Sequence, residues 1–394
     1  MFKAKRPLTR PLILLLILAS FLLAGCAGQT NNQNWPGLST DGETAYVAFG
    51  SAVAAYNTVT QQESWIYKSE NNSLLFFAPP SVQDGRVVLG DYGAAGGMFS
   101  PTIIVSVYGF AETGNPTLAS LWTNDALAKD KIVAGPLQVG DVAYVGTADF
   151  NVLALDANTG AEIWRFETNG AIWGQPTYHE GVLYVSSLDK HVYALDAETG
   201  AELWRSQLNG AASAKPLLNP DIGILYAGVY DNALHALDMK TGEEVWQVDA
   251  DDWIWSAPAL SDGVIYFADS SAQVYAADAE TGNLIWQKPV NEMRTADGAL
   301  KQVEGVIQAS PIVMDDILYI ASEGNRETEE GLLVALDKTT GDEIWQRTTI
   351  APLLTTPVIA GEAIIIALTS EEATLQAFNL ENGNQIWSYV PNLE

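Results

Sequence analysis

The sequence is poor in cysteine, histidine and basic residues. Its 394 residues include one cysteine, Cys26, and three histidines. A single cysteine excludes a disulfide within the chain. Only 19 Lys and Arg oppose 48 Asp and Glu, which gives a formal charge of −29. So acidic a surface repels phosphate backbones, and nucleic acid is therefore excluded as a partner.

The few basic residues are concentrated at the N-terminus. Residues 1–10 hold four of them and no acid, and the formal charge without them is −33. Residues 12–23 form an apolar run that is too short for a comfortable bilayer span. It leads into Leu-Ala-Gly-Cys at 23–26, which resembles the lipobox of bacterial lipoproteins. The alternative is a plain signal peptide or membrane helix with an incidental cysteine.

The lipobox resemblance implies a processed and anchored chain. We predict a signal peptide over 1–25, lipidation at Cys26 and a polar tether over 26–34. Ala27 resembles the residue found in lipoproteins sorted to the outer membrane. The expected location is extracytoplasmic and lipid-anchored, on the periplasmic side of the outer membrane if the organism has two membranes, and otherwise on the outer face of the cell membrane.

A repeat ending in tryptophan occupies the rest of the chain. Its clearest copy is ALDAETGAELW at 194–204, and degenerate copies lie at 55–65, 109–122 and 377–387. Five of the seven intervals between the eight repeat tryptophans are 40 or 42 residues long. The repeat residues of the five clearest copies are Asp156, Gly160, Trp164, Asp196, Gly200, Trp204, Asp238, Gly242, Trp246, Asp278, Gly282, Trp286, Asp337, Gly341 and Trp345.

Each unit of the repeat reads as four short strands. A proline opens the unit, and apolar runs such as VLYV at 182–185 are too short for helices and rich in β-branched and aromatic residues. Eight such units predict an all-β fold, an eight-bladed β-propeller over 35–394. We expect Asp-x-x-Thr-Gly to form the turn between the third and fourth strands, and the tryptophan to cover the turn of a neighbouring blade. Blades should complete in sequence, so that blade 1 packs against blade 8 without an exchanged strand.

The repeat resembles the PQQ-type propeller repeat. Two kinds of protein share it, the quinoprotein alcohol dehydrogenases and the non-enzymatic BamB lipoproteins of outer-membrane β-barrel assembly. The dehydrogenase resemblance implies a vicinal disulfide beside the cofactor and a catalytic aspartate near a calcium ion. Cys26 cannot form that disulfide, so we predict no cofactor, with PQQ unlikely, and no enzymatic activity.

Candidate binding residues lie where the repeat is irregular. Three long segments, 91–101, 288–308 and 322–331, emerge on one face of the predicted disc. Residues three positions before the opening prolines belong to the same face, near the axis. The aromatic residues there or nearby are predicted to form a recognition surface: Phe77, Trp173, Trp253 and Trp255. The alternative is that these aromatics only plug a funnel.

Other reactive sites are not indicated. His179, His191 and His235 share no repeat position, so a common metal site is not expected. The acidic cluster at 249–252 lacks the spacing of a calcium loop, and the glycine-rich stretch 92–97 precedes no helical pattern.

The leading hypothesis is therefore a membrane-anchored, monomeric scaffold that binds protein partners at the membrane surface, as BamB lipoproteins do. Two alternatives remain at this point: an extracytoplasmic propeller that binds a small ligand or glycan, and a PQQ-dependent dehydrogenase.

Overall fold

A computed structural model describes residues 35–71, 73–95, 103–114, 116–290, 292–294, 300–302 and 305–393. Regular structure in these segments consists of β-strands. They contain no helix that is long and apolar enough to cross a membrane. The predicted signal peptide, Cys26 and the tether lie outside the described residues, and so do parts of the irregular segments 91–101 and 288–308.

Eight antiparallel sheets, each built from one continuous stretch of chain, confirm the eight-bladed propeller. We letter the four strands of a blade A to D in chain order. Blades 1, 3 and 4 comprise β1 (Gly37–Thr40), β2 (Thr44–Phe49), β3 (Ala52–Asn57) and β4 (Gln62–Lys68); β10 (Leu137–Val139), β11 (Val142–Gly146), β12 (Asn151–Asp156) and β13 (Glu162–Glu167); and β14 (Thr177–His179), β15 (Val182–Ser187), β16 (His191–Asp196) and β17 (Glu202–Gln207).

The other regular blades follow the same pattern. Blades 5, 6 and 8 comprise β18 (Leu217–Asn219), β19 (Ile224–Val229), β20 (Ala233–Asp238) and β21 (Glu244–Asp249); β22 (Ala259–Ser261), β23 (Val264–Ala268), β24 (Gln273–Asp278) and β25 (Leu284–Pro289); and β32 (Val358–Ala360), β33 (Ala363–Ala367), β34 (Leu375–Asn379) and β35 (Gln385–Tyr389).

Blades 2 and 7 depart from the pattern. Blade 2 comprises β5 (Ser81–Gln83), β6 (Arg86–Gly90), a short β7 (Ala94–Ala95) in its B–C connection, β8 (Ile103–Glu112) and β9 (Leu118–Ala128). A hairpin of β26 (Glu292–Arg294) and β27 (Leu300–Gln302) precedes blade 7, which comprises β28 (Ile312–Met314), β29 (Ile317–Asn325), β30 (Glu330–Asp337) and β31 (Glu343–Thr349).

The prediction of a B–C loop over 322–331 was wrong for most of its length. Strand β29 continues to Asn325 and β30 begins at Glu330, with these two residues paired across the hairpin. Only residues 326–329 connect the strands. The polar side chains of this segment are compatible with strand because the hairpin extends beyond the body of the blade, where its backbone groups pair with each other.

The Asp-x-x-Thr-Gly segment forms the C–D turn of blades 3 to 7. In blade 4, a side-chain oxygen of Asp196 accepts hydrogen bonds from the Thr199 N–H (2.8 Å) and hydroxyl (2.7 Å). Gly200 has φ +73°, and Trp164 of the preceding blade lies against it. The Trp164 indole N–H donates to the Ala197 carbonyl at 3.0 Å. The same bond to a carbonyl of the next blade's turn is made by Trp122, Trp204, Trp246, Trp286 and Trp345.

The hydrophobic core is divided among the interfaces between blades. Each of eight buried clusters combines residues of two neighbouring blades. The cluster between blades 4 and 5, for example, contains Val192 and Ala194 of strand β16 with Leu225 and Ala227 of strand β19. Burial on both faces explains why strands B and C are continuously apolar instead of alternating.

Blade 8 packs directly on blade 1, as predicted, and within the described residues no strand is exchanged between them. The Tyr56 ring lies 4.9 Å from that of Trp387, measured between centroids. The Thr355 hydroxyl donates to the Pro36 carbonyl at 2.6 Å. Side-chain contacts and burial therefore close the ring.

Candidate functional site: the axial cavity and the irregular segments

The seven D–A connections and the segment that opens blade 1 converge on one cavity of about 430 Å³. We call it the axial cavity. The residue three positions before each opening proline lines it in blades 2 to 8, so Phe77, Trp173 and Trp255 lie on its wall. The residue immediately before each proline also lines it, in every blade. The repeat thus gives blades 2 to 8 two positions each that face the axis, and the residues at these positions vary in chemistry between blades.

The predicted aromatic residues have different surroundings. Phe77 is buried, and its ring centroid lies 5.5 Å from that of Trp35 and 4.6 Å from that of Tyr92. Phe77 is therefore a packed wall residue with little surface to offer. Trp173 is half-buried, and its indole nitrogen is buried without a hydrogen-bond partner among the described residues.

Trp253 and Trp255 are joined through a tyrosine from the neighbouring B–C connection. The ring of Tyr230 stacks on Trp253 at 5.3 Å and lies 4.8 Å from Trp255. Trp255 lines the axial cavity and is half-buried, whereas Trp253 does not line it and is 48% exposed. The structure therefore places Trp253 beside the cavity, with a free ring face of its own.

One charged side chain lines the axial cavity in the described part of the chain, and it is Lys215. Its Nζ donates to Gln175 Oε1 at 3.3 Å, and Gln175 Nε2 in turn donates to the Pro136 carbonyl at 2.9 Å. The side chain is exposed to the cavity, yet desolvation by the surrounding protein lowers the pKa of Lys215. No carboxylate of the described residues lines the cavity to offset this cost.

Sequence reasoning missed Trp35, Gln175 and Lys215. All three occupy the position immediately before an opening proline, and that position was a usable signal. It was overlooked because its residues in the eight blades range from tryptophan to glycine. Tyr92 and Tyr230 belong to B–C connections, and only the folded chain brings them to the cavity aromatics.

Two of the three irregular segments meet. The backbone N–H of Glu323, in the blade 7 hairpin, donates to the Val306 carbonyl of the D–A connection at 3.0 Å. Gly305 lies so close to Gly324 that a Cβ at Gly305 would clash with its backbone. The described part of the third segment is anchored separately. The buried Asp91 carboxylate there accepts hydrogen bonds from the Tyr108 hydroxyl (2.8 Å) and the Ser106 N–H (3.1 Å).

The histidines do not converge. His235 is buried in strand β20 between Asp231 and Glu244, at 3.0 Å and 2.7 Å, whereas His191 contacts Asp189 and His179 lies near an exposed glutamate. Among the described residues, no three His, Cys, Asp or Glu side chains are grouped so as to hold a metal ion.

The acidic cluster is bonded within its own surroundings. The Asp251 carboxylate accepts a hydrogen bond from Gln287 Nε2 at 3.0 Å, and that of Asp252 accepts one from the next backbone N–H at 2.8 Å.

Comparison with known proteins agrees with this architecture. The family described as outer membrane protein assembly factor BamB matches residues 106–230, 189–305 and 299–394, together well over half of the chain. The chain belongs to the BamB family.

Individual BamB proteins are distant relatives. BamB of Shewanella oneidensis is 31% identical over 140 residues, which cover 34% of this chain and 33% of that protein. The crystal structure of BamB from Moraxella catarrhalis has a TM-score of 0.65 at 18% identity and covers 84% of this chain and 92% of that one. The chain thus spans about a third of the length of the BamB sequence it matches, while the fold agrees over most of the molecule.

A quinoprotein shares the repeat with the BamB family. The quinoprotein alcohol dehydrogenase PedH of Pseudomonas putida is 27% identical over 139 residues, 33% of this chain and 22% of that protein. A site for PQQ and calcium would need carboxylates to bind the calcium ion. The resemblance to quinoproteins implies, in addition, a disulfide beside the cofactor. The axial cavity presents neither a carboxylate nor a cysteine among its described lining residues, so those residues do not fit this cofactor.

Proposed function

We propose that this BamB-family chain is a lipid-anchored, extracytoplasmic scaffold. It binds protein partners without catalysing a reaction, and it serves the assembly of outer-membrane proteins. The observation that supports this most is the family match over 106–394, on a propeller in which described parts of two irregular segments meet. Function usually resides in such irregular segments, because the repeated parts are committed to packing.

The proposed contact surface comprises the exposed ring of Trp253, the cavity-lining Trp173 and Trp255, and the hairpin tip at 326–329. Tryptophan is enriched among residues that dominate binding energy, because it buries a large area with few rotatable bonds. The eight interblade cores make the disc rigid, which limits the entropy lost when a partner binds.

Affinity purification of the tagged full-length chain from membranes of its own organism tests this function. We expect barrel-assembly proteins to co-purify, and the double variant Trp173→Ala/Trp255→Ala to reduce their recovery at least tenfold while the thermal transition persists. Leu203→Ala, which alters an exposed residue of strand β17 on the outer rim, is the control and should leave recovery unchanged. Undiminished recovery with the double variant would exclude this contact surface, and absence of assembly proteins would exclude the function.

The proposed anchor is tested separately. Cys26→Ala removes the sulfur that would carry the lipid, so metabolic labelling with a radioactive fatty acid should mark the unmodified protein and not this variant. Equal labelling of Cys26→Ala would contradict lipidation at Cys26.

A further inference from the structure

The axial cavity has a sector that differs from the rest of its wall. Trp173, Lys215 and Trp255 come from the connections that open blades 4, 5 and 6, which are consecutive around the ring. One cationic side chain is thus placed in the blade between two blades that contribute indole rings. We call these three residues the cationic sector.

The charge of the cationic sector is opposite to that of the molecule. The chain has a formal charge of −29, yet the described lining of its axial cavity includes one ammonium group and no carboxylate. Lys215 has three N–H donors, and the described residues supply a single neutral acceptor, Gln175 Oε1, at 3.3 Å. An ammonium group in this position favours a ligand that brings a negative charge.

Other polar groups of the lining also lack partners. The indole nitrogen of Trp173 and the hydroxyl of Ser256 are buried without hydrogen bonds among the described residues, and Ser256 is 4% exposed. Both atoms are buried away from the open space of the cavity, so the preference for an anion rests on the exposed ammonium group of Lys215.

We propose that the axial cavity binds a small organic anion with a planar apolar body and one carboxylate. Lys215 pairs with the carboxylate, and Trp173 and Trp255 contact the body. The volume of about 430 Å³ lies within the range of ligand pockets and accommodates a ligand of two fused rings. This site does not depend on the scaffold function.

Calorimetric titration of the intact propeller tests the proposal with three probes: 2-naphthoate, its uncharged analogue 2-naphthamide, and the neutral disaccharide cellobiose. We expect 2-naphthoate to bind at one site and 2-naphthamide to bind at least tenfold more weakly, since a charge-assisted hydrogen bond is lost. Trp255→Leu should weaken both naphthalene probes by a similar factor, because it removes a contact with the shared body.

Matched charge variants identify the anchor. Lys215→Gln should lower the affinity for 2-naphthoate about tenfold or more, to the level of 2-naphthamide. Lys240→Gln makes the same charge change on an exposed C–D turn of the same blade and should have no effect. Thermal unfolding of each variant establishes that it is folded.

Three results would overturn the proposal. They are the absence of saturable 2-naphthoate binding, an equal loss of affinity in Lys240→Gln, and cellobiose binding that Lys215→Gln leaves unchanged. The second result would indicate a general field effect, and the third would assign the cavity to a neutral glycan.

Discussion

At the scale of single residues, the glycine of the C–D turn combines two demands. Gly200 has φ +73°, and a Cβ there would lie 2.7 Å from the ring of Trp164. Gly181, in the A–B turn of the same blade, has φ +84° and no atom within 4 Å of such a Cβ. Alanine substitution at Gly181 therefore tests backbone strain alone, whereas substitution at Gly200 tests backbone strain together with contact with the neighbouring blade.

Gly200→Ala is expected to lower the free energy of unfolding by about 2–4 kcal/mol, because left-handed backbone strain adds to displacement of the indole. Gly181→Ala should cost about 1–2 kcal/mol from backbone strain alone. Urea denaturation followed by tryptophan fluorescence measures both. Equal losses of unfolding free energy in the two variants would show that the Trp164 indole can be displaced without loss of stability.

The turn aspartate predicts a response to acid. Hydrogen bonds from the hydroxyl and then the N–H of Thr199 lower the pKa of Asp196 below its ordinary 3.8. A carboxyl whose folded pKa is lowered stabilises the protein above its unfolded pKa, and this contribution is lost as the pH falls through the folded pKa. Asp196 therefore stabilises the protein at neutral pH, and this stabilisation begins to be lost below about pH 4, as the pH falls toward the lowered pKa of its carboxyl.

Asp196→Asn should accordingly lower the melting temperature at pH 7, and the gap from the unmodified protein should close as the pH is taken to 2.5. Differential scanning calorimetry across this range measures the gap. Asp221→Asn is the control, since Asp221 is exposed and makes no side-chain hydrogen bond in the described structure. A gap that is independent of pH would rule out the carboxylate as the cause.

At the scale of the strand, blade 5 replaces a repeated interaction. In blade 4 the Tyr193 hydroxyl donates to Asp189 at 2.7 Å, which ties strand C to the B–C connection. His235 holds the same strand position in blade 5 and reaches Asp231 at 3.0 Å, while its other ring nitrogen lies 2.7 Å from Glu244. His235, which shares no repeat position with the other histidines, thus takes the place of the tyrosine that bonds strand C to the B–C connection.

His235→Tyr should change the free energy of unfolding by less than about 1 kcal/mol, since a hydroxyl can again donate to Asp231. His235→Leu should cost about 1–3 kcal/mol, because it leaves the largely buried carboxylate without its partner. Chemical denaturation at pH 7 compares them. If the leucine variant were as stable as the tyrosine variant, the contact between His235 and Asp231 would not be a stabilising interaction.

The strands also show what the sequence could predict. In blades 3 to 7 the C–D turn is specified within five residues by Asp, Thr and Gly. The repeat tryptophans extended the count to eight blades. The extension of strands β29 and β30 depends on pairing between Asn325 and Glu330, and their polar neighbours favour a loop. Likewise, the aromatic residues of the axial cavity could be detected by residue type. The role of Lys215 could not be predicted, because it depends on the absence of carboxylates from the described lining of the folded cavity.

At the scale of the whole molecule, the ring differs from an open repeat array. Every blade buries both faces, so removal of one blade exposes two of the eight interblade clusters. An open solenoid that loses a terminal repeat exposes one interface and often remains folded. Because blade 8 contacts both blade 7 and blade 1, it is no more dispensable than an internal blade.

A chain that ends at residue 350, before blade 8, should therefore lose its cooperative thermal transition and be digested by trypsin at least tenfold faster. A chain that ends at residue 390 keeps the ring and removes the contact of Lys68 Nζ with the Leu393 carbonyl (2.9 Å), so it should melt within about 2 °C of the full chain. Cooperative melting of the shorter chain would show that seven blades suffice.

The direction in which the tryptophans dock has a consequence for biogenesis. In blades 2 to 7 the indole of each blade rests on the turn of the blade that follows it in the sequence. A nascent chain that emerges N-terminus first consequently holds one finished blade whose indole still awaits its cover. As synthesis proceeds, each new blade covers the exposed indole of the blade before it and exposes its own. No indole remains exposed in this way once Trp387 contacts Tyr56 of the first blade. A quality-control factor that binds exposed aromatic side chains would therefore bind incomplete propellers and release the closed one.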